Sequence, residues 1–336
     1  MAKPRTLPIP TKHQIPARPK AAREAGDDYG RTAEPSWRGV DWPARLNWVE
    51  IEGRQVNYVD MGSGEGPPIV FIHGLSGQWQ NWLENIPRAA LERRVIALDL
   101  PGFGFSEDPV ERITIPAYAR CVEEFCTRLD LGTCVIVGNS MGGFIAAEMA
   151  IRFPERVERL LLCSPAGITS TQLSKRPVMT LARIAGVTAS AQFSPKRLVS
   201  LRPGTRHAIL ALVLRHPSRI SADIAWHGMI SGAGKAAFIP ALAACLDYDF
   251  TDRLGDIGCP TLLIWGRNDA IIPVRDAEDF ERLVPGLRTV IVEDTGHVAM
   301  LERPETFNGL MMDFLAEKAG ESTTPDERPP PSVEAA

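Results

Sequence analysis

Short apolar runs alternate with helix-forming segments along most of this 336-residue chain. Each run is bounded by turn residues and has the length and composition of a strand buried inside a sheet. The predicted strands are residues 46–51, 55–60, 69–72, 94–98, 134–137, 159–163, 261–265 and 288–292. Helical patterns, including residues 117–129 and 143–153, separate most of them. This alternation predicts an α/β fold with a mostly parallel central sheet and helices on both of its faces.

One long interval breaks the alternation, because no convincing strand occurs between residues 163 and 261. Residues 178–184, 206–215 and 236–246 are patterned as helices there. We therefore predict a helical cap at residues 168–250, inserted into an α/β core made of residues 44–167 and 251–318. Residues 1–43 are rich in Pro, Arg and Lys and are expected to form a disordered or surface-draped arm. A disordered tail is expected at residues 319–336.

Three chemically reactive side chains follow three separate predicted strands. The segment VIVGNSMGGF, residues 135–144, places Ser140 between a strand and a helix. Asp269 follows the strand at 261–265, and His297 follows the strand at 288–292. Ligands of parallel sheets bind at the carboxyl ends of the strands, so the three side chains are expected at one edge. Four further acids, Asp247, Asp249, Asp252 and Asp294, do not follow a strand in the expected place.

From about residue 46 to 316 the chain resembles the α/β-hydrolase family. The GxSxG elbow at Ser140 and the order Ser, Asp, His are the features that carry the resemblance. It implies that Ser140 is a nucleophile, that His297 is its general base and that Asp269 orients the histidine. It also implies an oxyanion hole made of the backbone amides of Leu75 and Met141.

Two more residues have supporting roles under the same resemblance. His73, in the His-Gly pair after the strand at 69–72, is expected to shape the oxyanion loop. Asp99, after the strand at 94–98, is expected to organise its own loop. Pocket-lining side chains are expected after the oxyanion loop and in the cap; they are Trp79, Asn81, Trp82, Trp226, Met229 and Phe238.

A serine nucleophile implies acyl transfer through an acyl-enzyme, most often ester hydrolysis of the esterase or lipase type. Dehalogenases and epoxide hydrolases of this fold use aspartate instead. GNSMGG also resembles the elbow of C–C bond hydrolases that cleave ring-fission products of aromatic degradation. Leu75 and Val298 depart from that branch, which has a glycine-rich oxyanion loop and a tryptophan after the histidine. A small-molecule receptor on a hydrolase fold remains a third interpretation, because a fold alone does not settle function.

Charge is distributed unevenly along the chain. Residues 168–250 contain ten Lys or Arg and three acids, a net charge of +7 in a chain of net charge −4. This predicts an anionic or amphipathic small-molecule substrate, or peripheral contact of the cap and the basic arm with an anionic membrane. No nucleic-acid partner, cofactor or metal is expected, since phosphate-binding loops and ligand spacings are missing from the sequence. Without a membrane-spanning run or a signal sequence, a cytoplasmic location is expected.

Overall fold

A computed structural model of the chain describes residues 29–32, 36–173, 202–230 and 235–317. Its centre is an eight-stranded sheet in the order β1-β2-β4-β3-β5-β6-β7-β8. The strands are Leu46–Ile51 (β1), Arg54–Met61 (β2), Ile69–Ile72 (β3), Val95–Leu98 (β4), Cys134–Asn139 (β5), Val157–Cys163 (β6), Thr261–Gly266 (β7) and Arg288–Val292 (β8). All eight predicted strands are therefore present, with bounds that differ by at most two residues.

The sheet is parallel from β4 to β8 and antiparallel at its other edge. β1 and β2 form a hairpin whose turn residues, Glu52 and Gly53, have φ of 49° and 73°. Two consecutive positive φ values are typical of the type I′ turn that suits the twist of a hairpin. β2 pairs antiparallel with β4, and every later pairing is parallel. The predicted α/β fold with a mostly parallel sheet is confirmed.

Helices cover both faces of the sheet, as the alternation predicted. They are Ile86–Ala89 (α1), Ile115–Arg128 (α2), Met141–Arg152 (α3), Thr169–Gln172 (α4), Pro203–Leu210 (α5), Ala222–Ala225 (α6), Phe238–Asp247 (α7), Asp276–Leu283 (α8), Ala299–Glu302 (α9) and Pro304–Ala316 (α10). Successive residues of β3 contribute to opposite layers: Val70 and Ile72 pack with α2 and α3, Ile69 and Phe71 with α10. None of the described helices combines the length and apolarity that crossing a bilayer demands.

The β6–β7 insert, the residues between Cys163 and Thr261, connects two neighbouring parallel strands. Its described regular elements are helical, but the predicted helix at residues 178–184 lies outside the described residues. The helix predicted at 206–215 is shorter than expected, since α5 ends at Leu210 and a turn follows. The division into arm, core, cap and tail stays a prediction. Within the predicted arm, however, Tyr29 and Trp37 are buried and pack against the core.

Candidate active site

Ser140 occupies a sharp turn between the end of β5 and the start of α3. Its backbone has φ 56° and ψ −118°, a conformation that residues with a β-carbon rarely adopt. The turn is held by backbone hydrogen bonds: the Ser140 amide donates to the Cys163 carbonyl at 3.0 Å, and its carbonyl accepts from Ala166 at 3.0 Å. Strain of this kind persists only where the surrounding structure imposes it, and it is concentrated at functional sites.

Two glycines make this turn sterically possible. A β-carbon at Gly142 would overlap the carbonyl groups of Ile72 and His73. A β-carbon at Gly138 would overlap the Gly142 carbonyl. The first turn of α3 therefore lies directly against the end of β3, which brings Met141 and the oxyanion loop together. As the first residue of the helix, Met141 has an amide without an intrahelical acceptor.

Asp269 and His297 form a buried pair at the ends of β7 and β8. His297 Nδ1 lies 2.7 Å from Asp269 Oδ2. The other carboxylate oxygen accepts from the amides of Ile271 and Ile272 at 2.8 and 2.9 Å. An ionised carboxylate only accepts hydrogen bonds, so Nδ1 carries the proton and Nε2 is left as the basic nitrogen. This is the tautomer that a general base for a hydroxyl group requires.

Asn139 joins the serine turn to the histidine loop. Its side-chain amide donates to the carbonyls of Cys163 at 3.1 Å and His297 at 3.3 Å. The residue next to Ser140 in the chain therefore binds the backbone of His297 directly. The structure thus brings Ser140, Asp269 and His297 to one edge of the sheet, as their positions after three parallel strands predicted.

The predicted oxyanion loop lies beside Ser140. A β-carbon at Gly74 would come within 3.1 Å of the Ser140 β-carbon, so the loop backbone passes directly over the serine. The Gly77 amide donates to the Gly74 carbonyl at 2.9 Å and closes a turn that contains Leu75. The loop therefore places the backbone at Leu75 near the predicted nucleophile.

The side chains of His73 and Asp99 hold this loop and the segment after it by hydrogen bonds to the backbone. His73 donates from Nδ1 to the Gly74 carbonyl at 2.8 Å, and its Nε2 accepts from the Leu100 amide at 3.0 Å. Burial lowers the pKa of His73 to about 4, so it stays neutral and keeps this donor and acceptor arrangement. Asp99 accepts from the amides of Trp79 at 2.7 Å and Phe105 at 2.8 Å, and burial raises its pKa to about 7.

The predicted pocket residues occupy different environments. Trp79 is buried and packs on Trp42, with ring centroids 5.0 Å apart. Asn81 is also buried and donates to the Gly228 carbonyl in the β6–β7 insert. The segment Trp226–Ile230, which includes half-buried Met229, is thereby held next to the segment after the oxyanion loop.

The other two differ in their position. Trp82 is fully buried and packs against Phe71 and Phe307, so the structure places it in the core rather than on a pocket wall. Burial of such a large aromatic ring makes a major contribution to the stability of the core. Phe238 is half-buried at the start of α7, a helix whose Ala241 and Ala244 belong to the same buried cluster as Met141.

Two side chains that hold the histidine loop, Asn139 and Glu302, were not predicted from the sequence. Asn139 stands out in the sequence only as part of the GNSMGG elbow, and Glu302 belongs to no motif. Glu302 is fully buried and accepts from the Gly296 amide at 2.9 Å and the Val298 amide at 3.4 Å, on either side of His297. An acidic residue in the first apolar helix after the predicted base was the available signal.

Comparisons with known proteins agree with this architecture. A family model described as the alpha/beta hydrolase fold matches residues 67–304. The dihydrolipoyllysine-residue acetyltransferase component of an acetoin cleaving system from Pseudomonas putida is 31% identical over 80% of this chain and 68% of its own length. A 2-hydroxy-6-oxo-6-phenylhexa-2,4-dienoate hydrolase from Comamonas testosteroni is 27% identical over 82% of this chain and 96% of its own length.

A solved structure adds a third comparison. A membrane phospholipase A, described as a bacterial virulence factor, superposes with a TM-score of 0.62 at 28% sequence identity. The superposition covers 80% of this chain and 85% of the phospholipase. The names of the three proteins describe different reactions, so the comparisons identify the fold of this chain but not its reaction.

Proposed function

This chain belongs to the α/β-hydrolase family, and we propose that it is a serine hydrolase that cleaves a carboxylic ester through an acyl-enzyme. One observation carries the proposal: Asn139, the residue before strained Ser140, binds the backbone of His297, whose buried pairing with Asp269 leaves Nε2 basic. A serine hydroxyl is a weak nucleophile until a neighbouring base takes its proton, and a histidine fixed by a carboxylate is the base suited to that task.

The reaction runs in two halves. In the first, Ser140 Oγ attacks the ester carbonyl as its proton passes to His297 Nε2, and the amides of Leu75 and Met141 donate to the oxyanion. Collapse of the tetrahedral intermediate expels the alcohol, which takes the proton from His297. In the second half, water loses a proton to His297 and attacks the acyl carbonyl. The carboxylic acid then leaves, and the proton returns to Ser140.

We also propose that the β6–β7 insert caps the site and selects the substrate. Contacts between Asn81 and Gly228, and between Gln78 and His227, support the placement of the insert above the oxyanion loop. The net charge of +7 over residues 168–250 favours a substrate with an anionic or amphipathic part.

Hydrolysis of a carbon–carbon bond is the second candidate function. The likeness to the Comamonas testosteroni dienoate hydrolase supports it, as do Asn139 and Met141 in the elbow. Leu75 in the oxyanion loop and Val298 after the histidine favour ester hydrolysis. The elbow is compatible with both reactions, so the substrate and not the nucleophile distinguishes them.

One experiment separates the candidates. The wild type and Ser140→Ala are assayed on p-nitrophenyl esters of increasing acyl length and on a vinylogous diketone, in parallel with fluorophosphonate labelling. We expect ester turnover and labelling in the wild type, and neither in Ser140→Ala. Turnover of the diketone without the esters would favour the C–C hydrolase. An unlabelled, inactive wild type would contradict the catalytic proposal and favour a small-molecule receptor on this fold.

A further inference from the structure

A buried carboxylate connects the histidine loop to two distant parts of the chain. Glu302 Oε1 accepts from the Gly296 and Val298 amides, which flank His297. Its other oxygen, Oε2, accepts from the Arg215 amide at 2.7 Å and from the Tyr29 hydroxyl. The side chain is fully buried, and the four donors come from three separate chain segments. Each donor that is removed leaves a buried carboxylate less completely satisfied, at a large free-energy cost.

Tyr29 is the contribution of the N-terminal segment to this cluster. Its ring is 1% exposed, and its hydroxyl accepts from the His216 amide at 2.8 Å while it donates to Glu302. The adjacent Gly30 amide donates to the Glu302 carbonyl at 2.7 Å, which fixes the approach of the segment. The Arg303 guanidinium lies 5.0 Å from the centre of the Tyr29 ring, within the range of a cation–π interaction.

The β6–β7 insert meets the same loop. The His297 amide donates to the Val213 carbonyl at 2.8 Å, two residues before Arg215 binds Glu302. The backbone of His297 is therefore held by the insert through its amide and by Asn139 through its carbonyl. The amides on either side of it are held by Glu302. The Tyr29 hydroxyl binds both Glu302 and the His216 amide of the insert, so it connects two of the groups that hold the backbone around His297.

We propose that Tyr29 is a positioning residue for His297 and acts through the carboxylate of Glu302. The inference rests on the proposed function, in which His297 is the general base. Loss of the hydroxyl removes one donor from Oε2 and the acceptor of the His216 amide, so the carboxylate and the histidine loop shift together. A catalytic base must stay within hydrogen-bonding reach of the serine, and displacements of a fraction of an ångström are enough to slow the reaction.

The first test compares Tyr29→Phe with Tyr118→Phe. Tyr118 is a matched control because it is equally buried and donates a single hydrogen bond, to the Pro101 carbonyl at 2.9 Å in the opposite layer. On the best ester substrate, Tyr29→Phe is expected to lower kcat about tenfold with KM within about twofold of the wild type. Tyr118→Phe is expected to leave kcat within about twofold of the wild type, even if its melting temperature falls by as much as that of Tyr29→Phe.

The second test replaces Glu302 itself. Glu302→Gln keeps an oxygen that can accept from the Gly296 and Val298 amides, whereas Glu302→Ala keeps none. The expected order of kcat, and of the rate of fluorophosphonate labelling at Ser140, is wild type, then Gln, then Ala. Recovery by the amide shows that the acceptor positions the histidine loop.

The outcomes keep the two proposals apart. If Tyr29→Phe retains the kcat of Tyr118→Phe while Ser140→Ala is inactive, the positioning role of Tyr29 is wrong and the proposed function stands. If both tyrosine variants lose kcat in proportion to melting temperature, the role of Tyr29 is only structural and the inference fails. If Ser140→Ala remains as active as the wild type, the proposed function itself is wrong.

Discussion

Replacement of Ser140 by glycine is expected to abolish activity and to give a protein that is more stable than the Ser140→Ala variant. Ser140 has φ 56° and ψ −118°, and a residue held in such a conformation costs about 1–3 kcal/mol. Glycine adopts this conformation without strain. Because it makes the unfolded chain more flexible than alanine does, it loses more conformational entropy on folding, which costs about 0.4–1 kcal/mol. The net gain over Ser140→Ala, which keeps the β-carbon, therefore lies between about 0 and 2.6 kcal/mol, with a midpoint of about 1.3 kcal/mol.

Calorimetry and chemical denaturation of the two variants measure this difference. For a chain of this size the entropy of unfolding is about 0.7 kcal/mol/K, so a gain of about 1.3 kcal/mol raises the melting temperature by about 2 °C. Both variants lack the hydroxyl, so the comparison isolates the strain from the hydrogen bonding of the serine. Gly142→Ala provides a contrast, because a β-carbon there would overlap the Ile72 carbonyl and must lower stability.

The reasoning is refuted if Ser140→Gly melts at or below the temperature of Ser140→Ala. That result would mean that the turn is relaxed in its native surroundings, and that the positive φ reflects a conformation the sequence favours locally. The position of Ser140 would then depend on packing alone, and its backbone would store no strain.

Three further predictions follow from the site and the charge pattern. Asp269→Asn is expected to lower kcat by about 10⁴-fold, because it favours the wrong histidine tautomer; ester assays check this, and a loss of less than about tenfold would contradict it. Burial raises the pKa of Glu302 to about 7, so its contribution to stability is present below pH 4.5 and lost as pH rises to about 7. Relative to Glu302→Gln, the wild type should lose about 3 kcal/mol of unfolding free energy across that interval in denaturation at a series of pH values; a pH-independent difference would count against this. The charge of residues 168–250 predicts co-sedimentation with anionic rather than neutral vesicles, and equal binding to both, or to neither, would contradict it.

Local sequence patterns predicted the sheet well, because a strand buried on both faces is an unbroken apolar run. They also placed Ser140, Asp269 and His297 correctly after β5, β7 and β8, since parallel strands bring such residues to one edge. Local sequence patterns do not predict contacts between segments that are far apart in the chain. Tyr29 and Glu302 are 273 residues apart in the chain, and no periodicity connects them.

The two misjudged features have the same origin. The pattern at residues 206–215 predicted a longer helix, but the chain turns after Leu210, and the Val213 carbonyl beyond the turn accepts from the His297 amide. Trp82 was expected on a pocket wall, but its ring fills the space between Phe71 and Phe307. In both cases tertiary packing overrides a local preference.

The direct pairing of β6 with β7 makes the insert between them an apparent module. An insert that leaves and rejoins the sheet at neighbouring strands can be exchanged for that of a relative without any rearrangement of the scaffold. Here the exchange has a hidden requirement, because Val213 and Arg215 supply backbone bonds to His297 and Glu302. A chimera that grafts a foreign insert must reproduce those two main-chain contacts, whatever its side chains, or it will transfer substrate preference onto a scaffold whose histidine is no longer held.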